Sequence, residues 1–379
     1  MALLALLAVD AALTALLERR LAAALGHALG IRATVELYGW PVVPRVLAGV
    51  VPRAKVAGAS DDGSSSSLAA LEAWLTAVDV DPQALADGGQ PVSIASSGGR
   101  LTVTFRKGAE PLGAAQVVAT LEEVAARVGP DRAAIRVGAA VVYGSELGQA
   151  REDLTGVLFD ARLQGVAVEL TDPPVGAGSV AAAAQRGSLQ ARGHTGGALP
   201  LGASSLGLDF QDGVANGDAA GPLLGAEQAQ VVATRLRWPG SPASVSRLDG
   251  TFQDLRIDRR GAGPRVLTSS HATLAAEIDE SAVNAVWPLP GQVSLLDERA
   301  RLTVGPVTLD VEVGAEAGDL LLQPRMPPAL RPLVDDLPAL RLPAMLPHGA
   351  VLEEAQVESG LLLLRASGQR LEVPVGRGS

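Results

Sequence analysis

The sequence predicts an α+β fold that is duplicated and built mainly from antiparallel strands. Three observations carry that prediction. A single strong helical stripe stands near the amino terminus, and most of the remaining chain consists of short β-like runs punctuated by Gly, Pro and Ser. A punctuated block near residue 40 recurs at one constant offset near residue 240. The 379 residues are 47% apolar, which suffices for two domains with cores of their own.

The first segment, Met1–Val9, is apolar and is followed by Asp10. It lacks the basic start of a secretory signal and is short for a membrane span. Two readings stay open: the tail of a signal-anchor that begins upstream, or the apolar start of a helix. Over 11–30, Leu13, Leu16, Leu17, Leu21, Leu25 and Leu29 form a helical stripe, and Gly30 is a plausible stop. A strand is expected over 33–37, running into Gly39-Trp40-Pro41. An apolar run over 42–51 comes next, broken by Pro44 and Gly49, and then a strand over 53–56. The Ser-rich stretch 60–67 is a polar loop.

Residues 68–80 fit either a helix or a strand. Strands are expected at 91–94 and 101–105, joined by a Ser-Ser-Gly-Gly turn. The spacing of Val117, Leu121, Val124 and Val128 predicts a helix over 114–128. Strand character returns at 134–142 and 157–170. The Gly, Ala, Ser and Pro-rich region 173–225 reads as a junction, with strand-like stretches at 188–191 and 207–210. Further strands are expected near 231–238, 255–257, 272–278, 293–295, 301–304, 307–313 and 320–322. A short helix near 329–334 lies in a Pro-rich closure, and a terminal hairpin over 351–371 turns near Ser367-Gly368.

The duplication rests on residue matches. Gly39, Pro41, Leu47, Gly49 and Val56 correspond to Gly240, Pro242, Leu248, Gly250 and Ile257, and Arg100-Leu-Thr-Val103 recurs as Arg301-Leu-Thr-Val304 at the same offset. Val157–Leu163 also resembles Val351–Val357, at a shorter offset. The expected organisation is an N-terminal apolar segment and helix (1–30), a first repeat (31–172), the junction (173–225) and a second repeat (226–379).

Several functions find no support. A net charge of −10 argues against a nucleic-acid partner, which needs a concentrated basic surface. With no cysteine there are no disulfides or thiolate sites, and the four histidines stand far apart. Gly176-Ala-Gly178 follows a strand but has Asp172-Pro-Pro174 before it and no acidic residue downstream where a dinucleotide-binding turn requires one. No nucleophile elbow or phosphate loop is present, and the close acids Asp79/Asp81 and Asp335/Asp336 sit in turn-like settings. No cofactor and no catalytic group is expected.

The two copies of the repeated block carry apolar residues between their Gly and Pro marks. A short segment of this kind, neither a full helix nor a central strand, can line a cavity. Basic residues follow in each copy. They fit an anionic headgroup site, or simply a solvated strand face.

The opening, with its helix, Val35-Glu-Leu-Tyr-Gly-Trp-Pro41 and Leu47-Ala-Gly49, resembles the LmeA-like family of cell-envelope phospholipid-binding proteins. The closing Leu337-Pro-Ala-Leu-Arg-Leu-Pro-Ala-Met-Leu-Pro-His-Gly349, with Val357–Leu364 and Ala366-Ser-Gly368, resembles that family's terminal segment. The likeness covers about the first sixty and the last fifty residues. The chain is longer than single-copy members, and its Trp40-Pro-Val-Val replaces the usual Phe-Pro-Phe-Leu. The resemblance implies an elongated, barrel-like antiparallel sheet wrapping helices around an apolar tunnel, an extracytoplasmic location, and contact of the N-terminus with a membrane surface. The expected tunnel residues are Trp40, Val43, Val46, Leu47, Val50, Val245, Leu248, Phe252, Leu340, Leu342 and Met345. Arg53, Lys55 and Arg256 are the headgroup candidates.

Burial of each acyl CH₂ contributes about 0.8 kcal/mol, so a chain of roughly 16 carbons gains on the order of 10 kcal/mol from apolar walls alone. The expected function is therefore binding or carriage of a phospholipid, without enzymatic activity. A structural envelope protein with a filled core and, behind it, an enzyme acting on glycolipids are the alternatives.

Overall fold

The computed structural model describes residues 2–29, 32–39, 41–59, 68–80, 92–106, 114–128, 132–150, 153–171, 179–194, 203–218, 221–237, 244–258, 265–287, 291–325, 339–343, 346 and 348–375. Nineteen strands and three helices lie among them, so the protein is mostly β. It forms two compact units, Met1–Gln190 with Gln211–Leu224, and Ala191–Phe210 with Gly225–Ser379.

The first elements are α1 (Ala2–Leu29), β1 (Arg32–Tyr38), α2 (Val42–Leu47), β2 (Val50–Ala59), β3 (Leu68–Val80) and β4 (Val92–Arg106). They are followed by β5 (Ala114–Val128), β6 (Arg132–Ala150), β7 (Asp153–Thr171), β8 (Ser179–His194), β9 (Ser205–Asp218) and β10 (Gly221–Arg237). Next come β11 (Ser244–Asp258), β12 (Arg265–Asp279), α3 (Glu280–Val286), β13 (Gln292–Leu296), β14 (Arg299–Val304), β15 (Val307–Glu316) and β16 (Asp319–Pro324). The last strands are β17 (Leu340–Pro343), β18 (His348–Glu358) and β19 (Leu361–Val375). One large antiparallel sheet runs β1 through β12 in chain order and ends β19–β18, while β13–β17 make a second sheet, also in chain order.

Several expectations are corrected. Residues 114–128 are the strand β5, not a helix, and residues 68–80 resolve as the strand β3. The Ser-Ser-Gly-Gly sequence is not a turn but the middle of β4. The terminal hairpin turns at Ser359-Gly360, with Ser367-Gly368 paired inside β19. The 173–225 region holds β8, β9 and the start of β10, and α3 has no counterpart among the expected elements. The expected helix at 329–334 lies outside the described residues.

The repeated block does not carry over into matching structure. Residues 42–47 form α2, whereas the corresponding stretch of the second block runs in β11. The two Arg-Leu-Thr-Val sequences are strands of different sheets, β4 and β14.

In unit 1 the strands alternate apolar and polar faces, as a half-covered sheet requires. The alternation breaks once in each of β2 to β7. Pro52-Arg53, Thr76-Ala77, Ser97-Gly98, Glu122-Glu123, Gly138-Ala139 and Gln164-Gly165 are consecutive residues on the polar face. Each pair sits between apolar-face neighbours such as Leu75 and Val78, or Leu121 and Val124. Ala77, Glu123 and Gly165 take left-handed backbone angles, with φ of 48°, 52° and 60°. Pairing resumes in step on both sides of every break, so the breaks align into one crease across the sheet.

Each strand thus carries one additional residue, about 3.3 Å of contour, on its polar side. A doubled step of this kind bends a strand locally. Left-handed angles cost roughly 1–2 kcal/mol at a non-Gly residue. What offsets that cost is burial, since the shift returns Val78 and Val124 to the apolar side, at 2% and 9% exposure.

The break leaves a carbonyl needing a donor, and a serine supplies it. Ser96 Oγ is 2.6 Å from the Thr76 carbonyl and 2.7 Å from that of Gly98, and Ser97 Oγ donates to the Thr76 carbonyl at 3.2 Å. Unit 2 repeats the device. Asp254 has φ of 50°, Ser269 Oγ is 2.6 Å from the Gln253 carbonyl, and Ser270 Oγ is 3.1 Å from it.

Candidate functional site

The registers of β1–β7 place chemically uniform rows across the sheet. Leu37, Ala54, Leu75, Gly99, Leu121, Ala140 and Leu163 are successive cross-strand neighbours. The next row is Val35, Val56, Ala73, Leu101, Ala119, Val142 and Ala161. Beyond the crease, Val51, Val78, Ser96, Val124, Val137 and Val166 continue the same face. The opposite face is polar: one of its rows reads Glu36, Lys55, Trp74, Arg100, Thr120, Val141 and Arg162.

Over β1–β3 the apolar face is filled by side chains. Leu21 of α1 and Val42 and Val46 of α2 are buried with Val35, Leu37, Val51, Ala54, Val56 and Val78, and Leu17 and Leu25 pack beside them. Carboxylates fasten these helices as well. The buried Asp10 accepts from the Val42 N–H at 3.2 Å and the Val43 N–H at 2.8 Å, the first free amides of α2. Glu18 accepts from the Leu37 N–H at 2.8 Å. Leu25 also reaches Ala133 on β6, beside Leu170.

Farther along the sheet the cover changes. Val124, Val137 and Ala140 are buried with Leu121, Ile135, Val142, Leu163 and Val166 packed against them. All of these are strand residues of β5–β7, and no helix side chain belongs to the cluster among the described residues. Mutual contact shelters them. At one end, the Phe159 ring lies over Gly144, where a Cβ would come within 2.0 Å of Cζ. Any larger residue there would displace the ring. The result is an apolar strip of β4–β7, about 14 Å across four strands and roughly 30 Å along them.

The polar face of β1–β3 is occupied by its own interactions. Tyr38 stacks on Trp74 with ring centroids 5.7 Å apart, and Lys55 Nζ sits 5.0 Å from the Trp74 centroid and 3.3 Å from Glu72. Trp74 Nε1 donates to Glu72 at 2.7 Å, and this bond together with Lys55 holds the Glu72 carboxyl below the usual range. The Tyr38 hydroxyl donates to Glu36, which pushes its ionisation upward.

Unit 2 has a filled interior. Phe252, Leu255, Ala272 and Leu371 are buried together with Ala229. At the α3 end, Val293, Leu295 and Ala300 of the small sheet pack on Val357 and Leu362. Asn284 of α3 grips β13 through the Val293 N–H and carbonyl, at 2.8 Å and 2.7 Å. On β15, Asp310 accepts from Arg301 Nε at 2.8 Å with Arg299 at 3.0 Å, and the Arg301 hydrogen bond leads in holding its carboxyl below the ordinary range.

The expected site residues scatter. Val46 is buried in the α1–α2 core, Val43 is half-buried beside it, and Val50 is half exposed. Leu47 belongs to α2, while Trp40 and Met345 lie outside the described residues. Phe252 is buried in unit 2, with Leu248 half-buried on the same face of β11, and Val245 falls on the alternate face. Leu342 is half-buried and Leu340 exposed on β17. Arg53 and Lys55 stand on the polar face of β2, and Arg256 is exposed on β11. The structure therefore does not gather these residues into one site.

The residues it does gather, around Leu121, Val137, Val142 and Leu163, are not among those the sequence points to. Their signal is present there as strict alternation with one doubled polar step per strand. Among the described residues no group of His, Asp or Glu is arranged to hold a metal ion, and no helix is long and apolar enough to cross a membrane. No family model matches the chain, and no curated protein matches it.

Proposed function

We propose that this protein binds an acyl lipid, with the hydrocarbon lying along the apolar strip of β4–β7. The observation that carries the reading is the segregation in unit 1. One face of a wide sheet is apolar row after row, and its β5–β7 cluster is made of strand side chains alone among the described residues, with α1 reaching only the neighbouring Ala133 of β6. A face of this kind is unfavourable in water unless something covers it. One-sided contact captures about half of the 0.8 kcal/mol available per CH₂, so a chain of 16 carbons gains on the order of 6 kcal/mol.

The likeness of both chain ends to envelope phospholipid-binding proteins supports an extracytoplasmic carrier with α1 near a membrane surface. The Ser-Ser crease found in both units supports duplication, in a register other than the one the sequence match offers. A structural, non-carrying role is favoured by one specific feature, the side-chain-filled interiors around α1 and in unit 2.

Native mass spectrometry of the full chain after incubation with phospholipid vesicles separates the two. The carrier reading expects bound lipid, its loss in Val142→Asp on the apolar face, and its retention in Val141→Asp on the polar face. Circular dichroism verifies that each variant is folded. Lipid-free protein throughout, or equal binding by two folded variants, contradicts it.

A further inference from the structure

We infer that the outer face of α1 docks on an anionic lipid bilayer; this rests on the carrier reading above, which sets α1 near a membrane, and names the surface it meets.

The helix is apolar on two sides. Leu17, Leu21 and Leu25 turn inward and pack with β1–β3, whereas Leu13 and Leu16 stand 41% and 49% exposed. With the period of a helix, Ala12, Leu13, Leu16, Arg19, Arg20 and Ala23 share the side away from the sheet, and all of them are exposed. Arg19 and Arg20 follow Leu16 by one turn, so the cations adjoin the leucines. A helix apolar all round needs an apolar surrounding on each side, and the sheet supplies one. A short apolar patch with cations at one end suits the interface of a bilayer.

The placement of charge selects an anionic surface. In the first sixty residues the acidic side chains are Asp10, Glu18 and Glu36. Asp10 is buried on the Val42 and Val43 amides, Glu18 holds the Leu37 amide, and Glu36 accepts from Tyr38 on the polar face of the sheet. The arginines lie outward instead: Arg19 and Arg20 are exposed on α1, and Arg45 is exposed on α2, which packs against α1. A chain of net charge −10 thus keeps the acids of this region at backbone amides or on the far face and its arginines in solvent. The bonds of Asp10 and Glu18 also hold the inner face of α1 in place, so the outer face is the one presented.

The test uses the full chain with vesicles of phosphatidylcholine alone and of phosphatidylcholine mixed with phosphatidylglycerol. Co-sedimentation is measured at about 50 mM and about 500 mM sodium chloride, a range over which the screening length falls severalfold. The expected result is binding to the anionic vesicles at low salt, weaker by about fivefold or more at high salt and on neutral vesicles. Leu16→Glu and Arg19→Glu should each weaken it by about fivefold or more. Arg162→Glu makes the same charge change on the polar face of β7 and should leave binding near the parent value. Circular dichroism verifies that each variant is folded. Equal binding to neutral and anionic vesicles, or an equal loss in Arg162→Glu, overturns the docking face. A protein that carries lipid in native mass spectrometry but binds no vesicle also overturns it and leaves the acyl-lipid reading standing. Vesicle binding in the expected pattern by a protein that takes up no lipid supports the docking face and overturns the carrier reading.

Discussion

Replacing Ala77 by valine should destabilise the protein, although valine is the better strand residue and the site is exposed. Ala77 sits at the crease of β3 with φ of 48°. A β-branched side chain in that region is a genuine outlier, and strain of this kind costs about 1–3 kcal/mol. Ala95 of β4 supplies the control. It is also exposed on the polar face, but its backbone is ordinary, so Ala95→Val should be neutral or stabilising by up to about 0.5 kcal/mol. Urea denaturation of both variants gives the comparison, with midpoint shifts read at unchanged slope. The expected outcome is a lowered midpoint for Ala77→Val alone. If the two variants unfold at the same midpoint, the crease does not hold Ala77 in a left-handed conformation and the argument for the bend fails.

The same contacts set three further outcomes. Asp10→Ala removes the acceptor for two amides of α2 and should cost about 2–4 kcal/mol, with faster hydrogen exchange at Val42 and Val43 as its local sign. Ser96→Ala leaves the Thr76 carbonyl at the crease with a weaker set of donors and should cost about 1–3 kcal/mol by chemical denaturation, whereas Ser93→Ala on the exposed face should change little. Asp310 is held below the ordinary carboxylate range by Arg301 and Arg299, so its contribution is complete above the unfolded value, near 3.9, and disappears as pH falls through the lower folded value. Asp310→Asn should therefore lower stability at neutral pH, and the gap from the parent protein should close progressively in acid titrations followed by circular dichroism.

The same crease explains what can and cannot be read from the sequence. The residues Val117, Leu121, Val124 and Val128 imitate a helix because a doubled polar step, Glu122-Glu123, is inserted into a strand of period two. Two runs of alternation, 117–121 and 124–128, then fall at spacings of four, three and four. Leu71, Leu75 and Val78 in β3 are ambiguous for the same reason. Ser96-Ser-Gly-Gly99 has turn composition, yet it serves the crease, where serine hydroxyls meet a freed carbonyl and Gly99 lets the strands approach: a Cβ there would lie 2.5 Å from the Trp74 carbonyl.

The N-terminal helix and the strands over 134–142 and 157–170 are legible because their periods are unbroken, or long enough on either side of the break. The helix α3 is not, being a single short apolar stretch between strands whose anchor is tertiary, through Asn284 and Glu280 to β13. The candidate site is hidden more deeply. The punctuated Gly and Pro blocks point to α2 and β11, whereas the apolar strip is spread one or two residues at a time over strands 40 residues apart in the chain.

Photolabelling tests the central claim most directly. A phospholipid carrying a diazirine near the end of one acyl chain is bound to the full protein, irradiated, and the adducts are located by tandem mass spectrometry. Hydrocarbon along the apolar strip predicts adducts at Val117, Leu121, Val142 and Leu163. Adducts on their outward neighbours Thr120, Tyr143 and Arg162, or a folded protein that takes up no label, would contradict the account.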